Sequence, residues 1–212
     1  MRIIIGGVSV EALAMREVTR IMSSFEYWDL FNRNRVWVRN HHKRGDRIPD
    51  GLYHIVVHSW VMDYYGNFLI SQRQNGRTDE LMWERTGGSV LEGESSIEGA
   101  KREVREELGI DLAEIQPVLI KSERRDKYSD FFDAWLFVVD REKTICKIDN
   151  VEVRDFKWVD LPELKIIMDA IQNSKFIPKD KTEELLNKIA SLGGSESTHL
   201  LKRNAVRFNV VK

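Results

Sequence analysis

The period of the apolar positions changes along the chain, and each change predicts an element. From Leu52 to Asp63, Tyr53, Ile55 and Val57 alternate with His54, Val56, His58 and Trp60; a period of two rich in β-branched and aromatic residues predicts a strand. Tyr65-Gly66-Asn67 turns the chain into a second strand over Phe68–Gln72, and Asn75-Gly76 turns it again. Over Ser95–Leu108 the period lengthens. At about 100° per residue, Ile97, Ala100, Val104 and Leu108 gather on one stripe that faces a core. Ser95 and Glu98 have the spacing of a capping box, and Gly109 stands where a left-handed C-cap belongs. Strands follow at Val118–Ser122, Phe131–Val139 and Val153–Val159, then helices near Leu161–Ile171 and Lys181–Ser191. Strands and helices mix without regular βαβ alternation, which predicts an α/β protein with a mixed sheet flanked by helices.

Residues 1–25 follow another pattern: a short strand-like start, then a ragged helical stripe of Leu13, Val18, Ile21 and Met22. They read as an N-terminal extension, residues 26–192 as the domain, and residues 193–212 as a C-terminal tail that starts flexible and ends basic. Charge then narrows the partners. With 33 basic and 34 acidic side chains the net charge is −1, so no field of the whole chain draws it to nucleic acid or to an anionic membrane. The single cysteine, Cys146, excludes an internal disulfide and a thiolate zinc cluster, and fits a cytoplasmic location. The apolar run Ile3–Val10 is broken by Gly6-Gly7 and closed by Glu11, too short to span a bilayer.

The chemistry sits on the capped helix. Glu103, Glu106 and Glu107 fall within roughly 100° of one another, off the apolar stripe. Like charges at these spacings repel by about 0.2–0.5 kcal/mol per pair. One reading is a solvated acidic face relieved by Arg102 and Arg105; the other is a site for a divalent cation, since oxygen-only ligands suit Mg²⁺, Mn²⁺ or Ca²⁺. The surrounding spacing favours the second. Gly88, five residues, Glu94, seven residues, then Arg102-Glu103-Val104-Arg105-Glu106-Glu107-Leu108-Gly109-Ile110 reproduces the Nudix box without a gap. Chance agreement at its seven fixed positions is on the order of 10⁻⁹ per start.

The chain resembles the Nudix hydrolase family over this box. The resemblance implies a Nudix-type α/β/α sandwich around a mixed sheet. It also implies hydrolysis, with Mg²⁺ or Mn²⁺, of a nucleoside diphosphate joined to another group, a small-molecule diphosphate substrate. Carried over by position, Glu103, Glu106 and Glu107 are the metal ligands, and Glu106 or Glu107 takes the proton of the attacking water. Glu94 and Arg102 pair and brace the loop, while Gly87 and Gly88 bring backbone close to the ion. The physics of the residues agrees: a carboxylate-held ion supplies both charge neutralisation and water activation, and no nucleophile elbow is present.

A looser resemblance, from about Trp28 to Ile189, is to the branch similar to isopentenyl diphosphate isomerase. It is carried by Leu52-Tyr53-His54-Ile55-Val56-Val57-His58-Ser59-Trp60, by Ser71-Gln72-Arg73, and by Val151–Trp158. It implies that His54 joins the metal ligands, that Glu152 serves the proton chemistry, and that Arg73 contacts the diphosphate. Arg77, just beyond the turn, is a second phosphate candidate because guanidinium matches phosphate oxygens. Each has a plainer reading: a core-strand histidine for His54, a solvated carboxylate for Glu152, surface ion pairs for the arginines. Tyr53, Trp60, Trp83 and Phe132 are base-stacking or core residues, and His42-Lys43-Arg44 is read as a solvated loop. The branch's catalytic cysteine falls at Gly87 and its histidine at Ser89. Hydrolysis is therefore expected; isoprenyl diphosphate isomerisation and a non-catalytic nucleotide-binding module are the alternatives. Specificity is expected in the segments Asn75–Leu81 and Glu123–Asp130, and a homodimer stays open.

Overall fold

The computed structural model describes residues 4–5, 8–9, 26–75, 80–148 and 150–173. Strands β1 (Ile4–Ile5) and β2 (Val8–Ser9) form a small antiparallel ladder. The domain proper runs β3 (Tyr27–Asn32), β4 (Trp37–Lys43), β5 (Leu52–Asp63), β6 (Phe68–Arg73), β7 (Trp83–Glu84), β8 (Thr86–Ser89) and helix α1 (Ser96–Leu108). It continues with β9 (Val118–Arg125), a 3₁₀ turn (Asp126–Tyr128), β10 (Asp130–Val139), β11 (Val153–Val159) and helix α2 (Leu161–Asn173). The predicted helices at Val10–Met22 and Lys181–Ser191, the C-terminal tail and Arg77 lie outside the described residues.

β5 is the axis of a mixed sheet ordered β11-β6-β5-β10-β9. It pairs in parallel with β10 from His54↔Asp130 to Asp63↔Val139, while the other ladders are antiparallel. Helices cover both faces of β5, which is why it reads as a nearly continuous apolar run. Tyr53, Ile55, Val57 and Val61 pack with Ala100, Val104 and Leu108 of α1. Trp60 and Met62 point the other way, toward Leu164 and Met168 of α2. Full burial of each such side chain stabilises the fold by about 1.5–3 kcal/mol. The result is an α/β/α sandwich, as expected, with α1 on one face and α2 on the other.

Beside β5 the sheet is split. β6 pairs with β5 only at Val61↔Leu69 and Met62↔Phe68, and β8 then takes its place along Val56–Ser59. The outer edge of β8 carries no strand among the described residues.

Some local expectations need correcting. His42-Lys43-Arg44 is only in part a solvated loop: His42 lies in β4, 5% exposed, its ring 6.2 Å from that of Trp28, while Lys43 at the end of that strand and Arg44 in the turn beyond are exposed. The hairpin β3–β4 is hard to read because its ladder shifts register twice and Arg35 and His41 take positive φ, so no clean alternation survives. Segment Glu123–Asp130 is not a free loop, since β9 runs into a 3₁₀ turn clamped by Arg125–Asp130 at 2.7 and 2.6 Å. On the α1 stripe Ile97 is only partly buried, and Gly99 is buried beside Ala100.

Candidate active site

The capping box fixes the rotation of α1, and with it the direction of every carboxylate. Glu98 N–H donates to Ser95 Oγ at 3.3 Å, and Ser95 N–H donates to Glu98 Oε2 at 2.8 Å. At the other end Gly109 adopts φ 66°, and a Cβ there would lie 2.4 Å from the Lys147 carbonyl oxygen; only glycine fits.

Arg102, 12% exposed, is the hub of the helix. Its Nε and Nη2 donate to Glu94 at 2.8 and 3.1 Å, Nη2 also to the Ser89 carbonyl at 2.9 Å, and Nη1 to Glu103 at 2.9 Å and Glu106 at 2.8 Å. Burial alone would lower its pKa, but the bond to Glu94 and the charges of Glu103, Glu106 and Glu94 outweigh it and raise the pKa. Glu94 also accepts the Leu91 N–H at 2.9 Å, so this one ion pair ties the loop after β8 to the helix.

Glu103 and Glu107 face β8, whereas Glu106 rests on Arg102, its side chain 55% exposed. Gly88 makes room for Glu103: a Cβ there would lie 2.2 Å from Glu103 Oε1. Burial, resisted by Arg102 and reinforced by Glu106 and Glu152, pushes the Glu103 carboxyl up to about 7. Glu107 is pushed well above the carboxylate range, first by burial and then by Glu103 and Glu84, with a Thr86 hydrogen bond opposing and Glu152 adding. Its Oε2 is buried without a hydrogen-bond partner among the described residues.

The structure brings Glu152 into this group and places Arg73 at its edge. The ladder Arg73↔Val153 sets Glu152 alongside β6, and Arg73 Nη1 donates to Glu84 at 2.6 Å. Glu84 escaped the sequence reading, yet a signal existed: Glu84, Thr86 and Gly88 alternate on one strand-like stretch, and that parity is the one that faces α1. Four glutamates thus crowd together against Arg102 and Arg73.

His54 does not join them, which corrects its assignment as a metal ligand. It sits at an even position of β5, on the face away from α1, 7% exposed and stacked on Trp28 at 4.1 Å. Its electrostatic neighbours are Asp130, Arg125, His42 and Arg44, and burial first of all pulls it down to about 4. It is a core-strand histidine, but not one satisfied by hydrogen bonds: its Nδ1 is buried without a partner among the described residues. Tyr53 belongs to the α1-side core, Trp60 and Phe132 to the opposite one, and Trp83 packs at that core's margin.

Among the described residues no three His, Cys, Asp or Glu side chains converge on one ligand point. The donors nevertheless suit a hard cation: they are carboxylate oxygens, one is buried and unpartnered, and Gly87-Gly88 puts only backbone beside them. Glu103 and Glu107 are placed to hold Mg²⁺ or Mn²⁺, and Glu106, the third expected ligand, would have to leave its 2.8 Å bond with Arg102 to join them. An ion there would reverse the upward pKa shifts by favouring the charged carboxylates.

The comparisons with known proteins bear on the family and the fold. The NUDIX domain family model matches residues 52–180. The uncharacterized Nudix hydrolase lin0387 of Listeria innocua is 33% identical over 183 residues, covering 82% of this chain and 99% of that protein. The uncharacterized Nudix hydrolase lmo0368 of Listeria monocytogenes is 32% identical over 169 residues, covering 76% and 94%. In fold alone the chain is similar to DR0079 from Deinococcus radiodurans, with TM-score 0.58 and 20% identity over 77% of this chain and 99% of that one. A Caenorhabditis elegans Ap4A hydrolase is similar in fold at TM-score 0.50 and 17% identity, covering 65% and 96%. A complete box on a capped helix, a family model over most of the domain and relatives of matching length establish that this chain belongs to the Nudix hydrolase family, whose members generally cleave pyrophosphate bonds.

Proposed function

We propose that the protein hydrolyses the diphosphate linkage of a nucleoside diphosphate derivative by attack of water, with Mg²⁺ or Mn²⁺ as cofactor. The observation that carries this reading is the buried pair Glu103 and Glu107 against Gly88, with Glu107 Oε2 unpartnered. When bound, the ion supplies neutralisation of diphosphate charge and acidification of water. The chain's own residues do the rest. Glu103 and Glu107, with Glu106, would hold the ion, Arg102 holds Glu103 and Glu106 in place through its bonds at 2.9 and 2.8 Å, and Gly87-Gly88 lets substrate oxygens approach the backbone. Glu106, Glu107 and Glu152 are the candidates for taking the proton from water. Arg73 contacts the diphosphate on exchanging its Glu84 partner, and Arg77 is a second contact.

Within the family, the fragments Leu52–Trp60, Ser71–Arg73 and Val151–Trp158 favour the branch similar to isopentenyl diphosphate isomerase, but not its reaction. A side chain at Gly87 would start 2.5 Å from the Val57 carbonyl oxygen and 2.8 Å from the His58 ring, so the branch's cysteine has no room. The domain is taken as residues 26–192. The cytoplasm is its proposed location, and no described helix is long and apolar enough to cross a membrane.

The test is product analysis after incubating purified protein with nucleoside diphosphate sugars, dinucleoside polyphosphates and coenzyme A, with and without Mg²⁺ or Mn²⁺. Cleavage of a diphosphate linkage that needs the ion and is lost in Glu107→Gln supports the reading. Ion-independent cleavage, or none across the set, rejects it.

A further inference from the structure

The face of the sheet away from α1 holds a guanidinium that the hydrolytic machinery does not use. Arg85 lies between β7 and β8, with Glu84 and Thr86 turned to the carboxylates and Arg85 turned to the far side beside His58. Its Nε approaches His58 Nδ1 at 2.9 Å and its Nη2 approaches His58 Nε2 at 3.0 Å. A neutral imidazole has one acceptor nitrogen and one N–H, so it cannot accept from both donors. A charged imidazole accepts from neither, and both burial and Arg85 oppose that form. At least one guanidinium N–H therefore has no acceptor there, and among the described residues Arg85 makes no ion pair with a carboxylate. Burial pulls its pKa down to about 10, against the weak pull of Glu84.

The surroundings deepen the imbalance. Arg85 Cζ stands 5.9 Å from the Trp60 ring centre, and Trp60 Nε1, in a residue only 2% exposed, is a buried donor without a partner. His58 meets Phe132 edge-on at 4.5 Å. The neighbouring Arg125 over Phe132 has its carboxylate in Asp130; Arg85 has none. Arg85 and His58 are both half-buried rather than sealed in the core. An unpaired, desolvated cation with spare donors on an aromatic floor calls for an anionic acceptor, and a fork of N–H groups suits a planar carboxylate or a phosphate.

We propose that Arg85, backed by His58, is a specificity-determining residue that binds a carboxylate or phosphate carried by the substrate outside the scissile diphosphate. This rests on the hydrolase reading above and names the class of substrate it takes: one with an additional anionic group reaching the face of the sheet opposite the carboxylates.

The experiment compares two matched pairs with Mg²⁺: UDP-glucuronate against UDP-glucose for a carboxylate, and coenzyme A against 3′-dephospho-coenzyme A for a phosphate. In at least one pair the wild type should favour the anionic member by about tenfold or more in kcat/KM, the scale of a charge-assisted hydrogen bond. Arg85→Met should bring that ratio to about one, leave the neutral member's rate unchanged, and melt at or above the wild-type temperature. Arg85→Lys keeps the charge but loses the fork and should cut the ratio by about threefold or more; it carries the test if Arg85→Met does not fold. Cleavage without preference in either pair, or a preference that survives these substitutions, overturns the proposal and leaves the hydrolase reading standing. If no compound is cleaved, the hydrolase reading has failed for this set, and calorimetric binding of the same four compounds decides on Arg85. Tighter binding of an anionic member, lost in the variants, supports it; equal or undetectable binding overturns it.

Discussion

The two faces of the split beside β5 gather charge of opposite sign. Toward α1, Glu84, Glu103, Glu107 and Glu152 crowd together, and Glu107 Oε2 is left buried without a partner. On the far face Arg85 stands against a histidine and aromatic rings with no carboxylate of its own. Neighbouring residues where β7 runs into β8 supply both, because alternation along this extended stretch sends Glu84 and Thr86 one way and Arg85 the other. Elsewhere the molecule pairs its buried charges closely, as in Arg125–Asp130 and Arg35–Asp133. Among the described residues Glu107 Oε2 on one face has no hydrogen-bond partner and Arg85 on the other has no carboxylate, and these are the places where a cation and an anion are proposed to bind. Unpaired buried charge costs stability, and a free enzyme that retains it holds the site ready for its ligands.

The comparison breaks first at Glu107. Glu107→Gln should lower kcat by roughly 10²–10⁴-fold, the range for loss of an acid–base or ion-binding group, while the apo protein melts no lower because a crowded carboxyl has been neutralised. Turnover at the wild-type rate with saturating Mg²⁺ would remove the site from α1. Arg102→Met attacks the one guanidinium that organises this face. It should cost about 3 kcal/mol in chemical denaturation, since Glu94 and Glu103 lose their buried partner; a change under about 0.5 kcal/mol would class the hub with ordinary surface pairs.

The far face is tested through His54. Its pKa is lowered from 6.5 to about 4, so its share of stability is complete above pH 6.5 and is lost as pH falls toward 4. At about 1.4 kcal/mol per unit, the acid limb should carry up to about 3.5 kcal/mol that His54→Phe flattens. Denaturation at a series of pH values reads this directly, and identical slopes in the two proteins would remove His54 from the acid limb. The smallest change returns to the carboxylates. Gly88→Ala places a Cβ 2.2 Å from Glu103 Oε1, and the end of a flexible side chain can move aside. Kinetics should show a kcat loss of about tenfold, as misplacement of a group at the reacting centre costs, with little change in melting temperature. A matching fall in both would mean that the backbone, not the carboxyl, had moved.

Much of this was legible along the chain. The capping box, the C-cap glycine and the box spacing locate α1, because caps and helical spacing are local properties and α1 obeys them at both ends. β5 and β11 appear at the predicted Leu52–Asp63 and Val153–Val159; β5 holds one register with β10 along its whole ladder, whereas β11 shifts register against β6 between Val153 and Asp155. The β3–β4 hairpin was not legible: its register shifts and positive-φ residues are fixed by packing against β5, not by a local period.

What the sequence determined by itself is the family, the capped helix and the set of carboxylates, all carried by residues within one short stretch whose spacing is rigid. Only the tertiary structure decided which of them meet. His54 shares a strand with the core that supports α1, yet its parity turns it to the opposite face. Glu84 lies outside the box, yet the split between β6 and β8 brings it beside Glu107. Arg85 reads as one more charge before two glycines until the sheet withdraws it from water and leaves it no carboxylate. Burial and the face of a strand are set by long-range pairing, and they decide whether a charged side chain is solvated, paired or held open for a ligand.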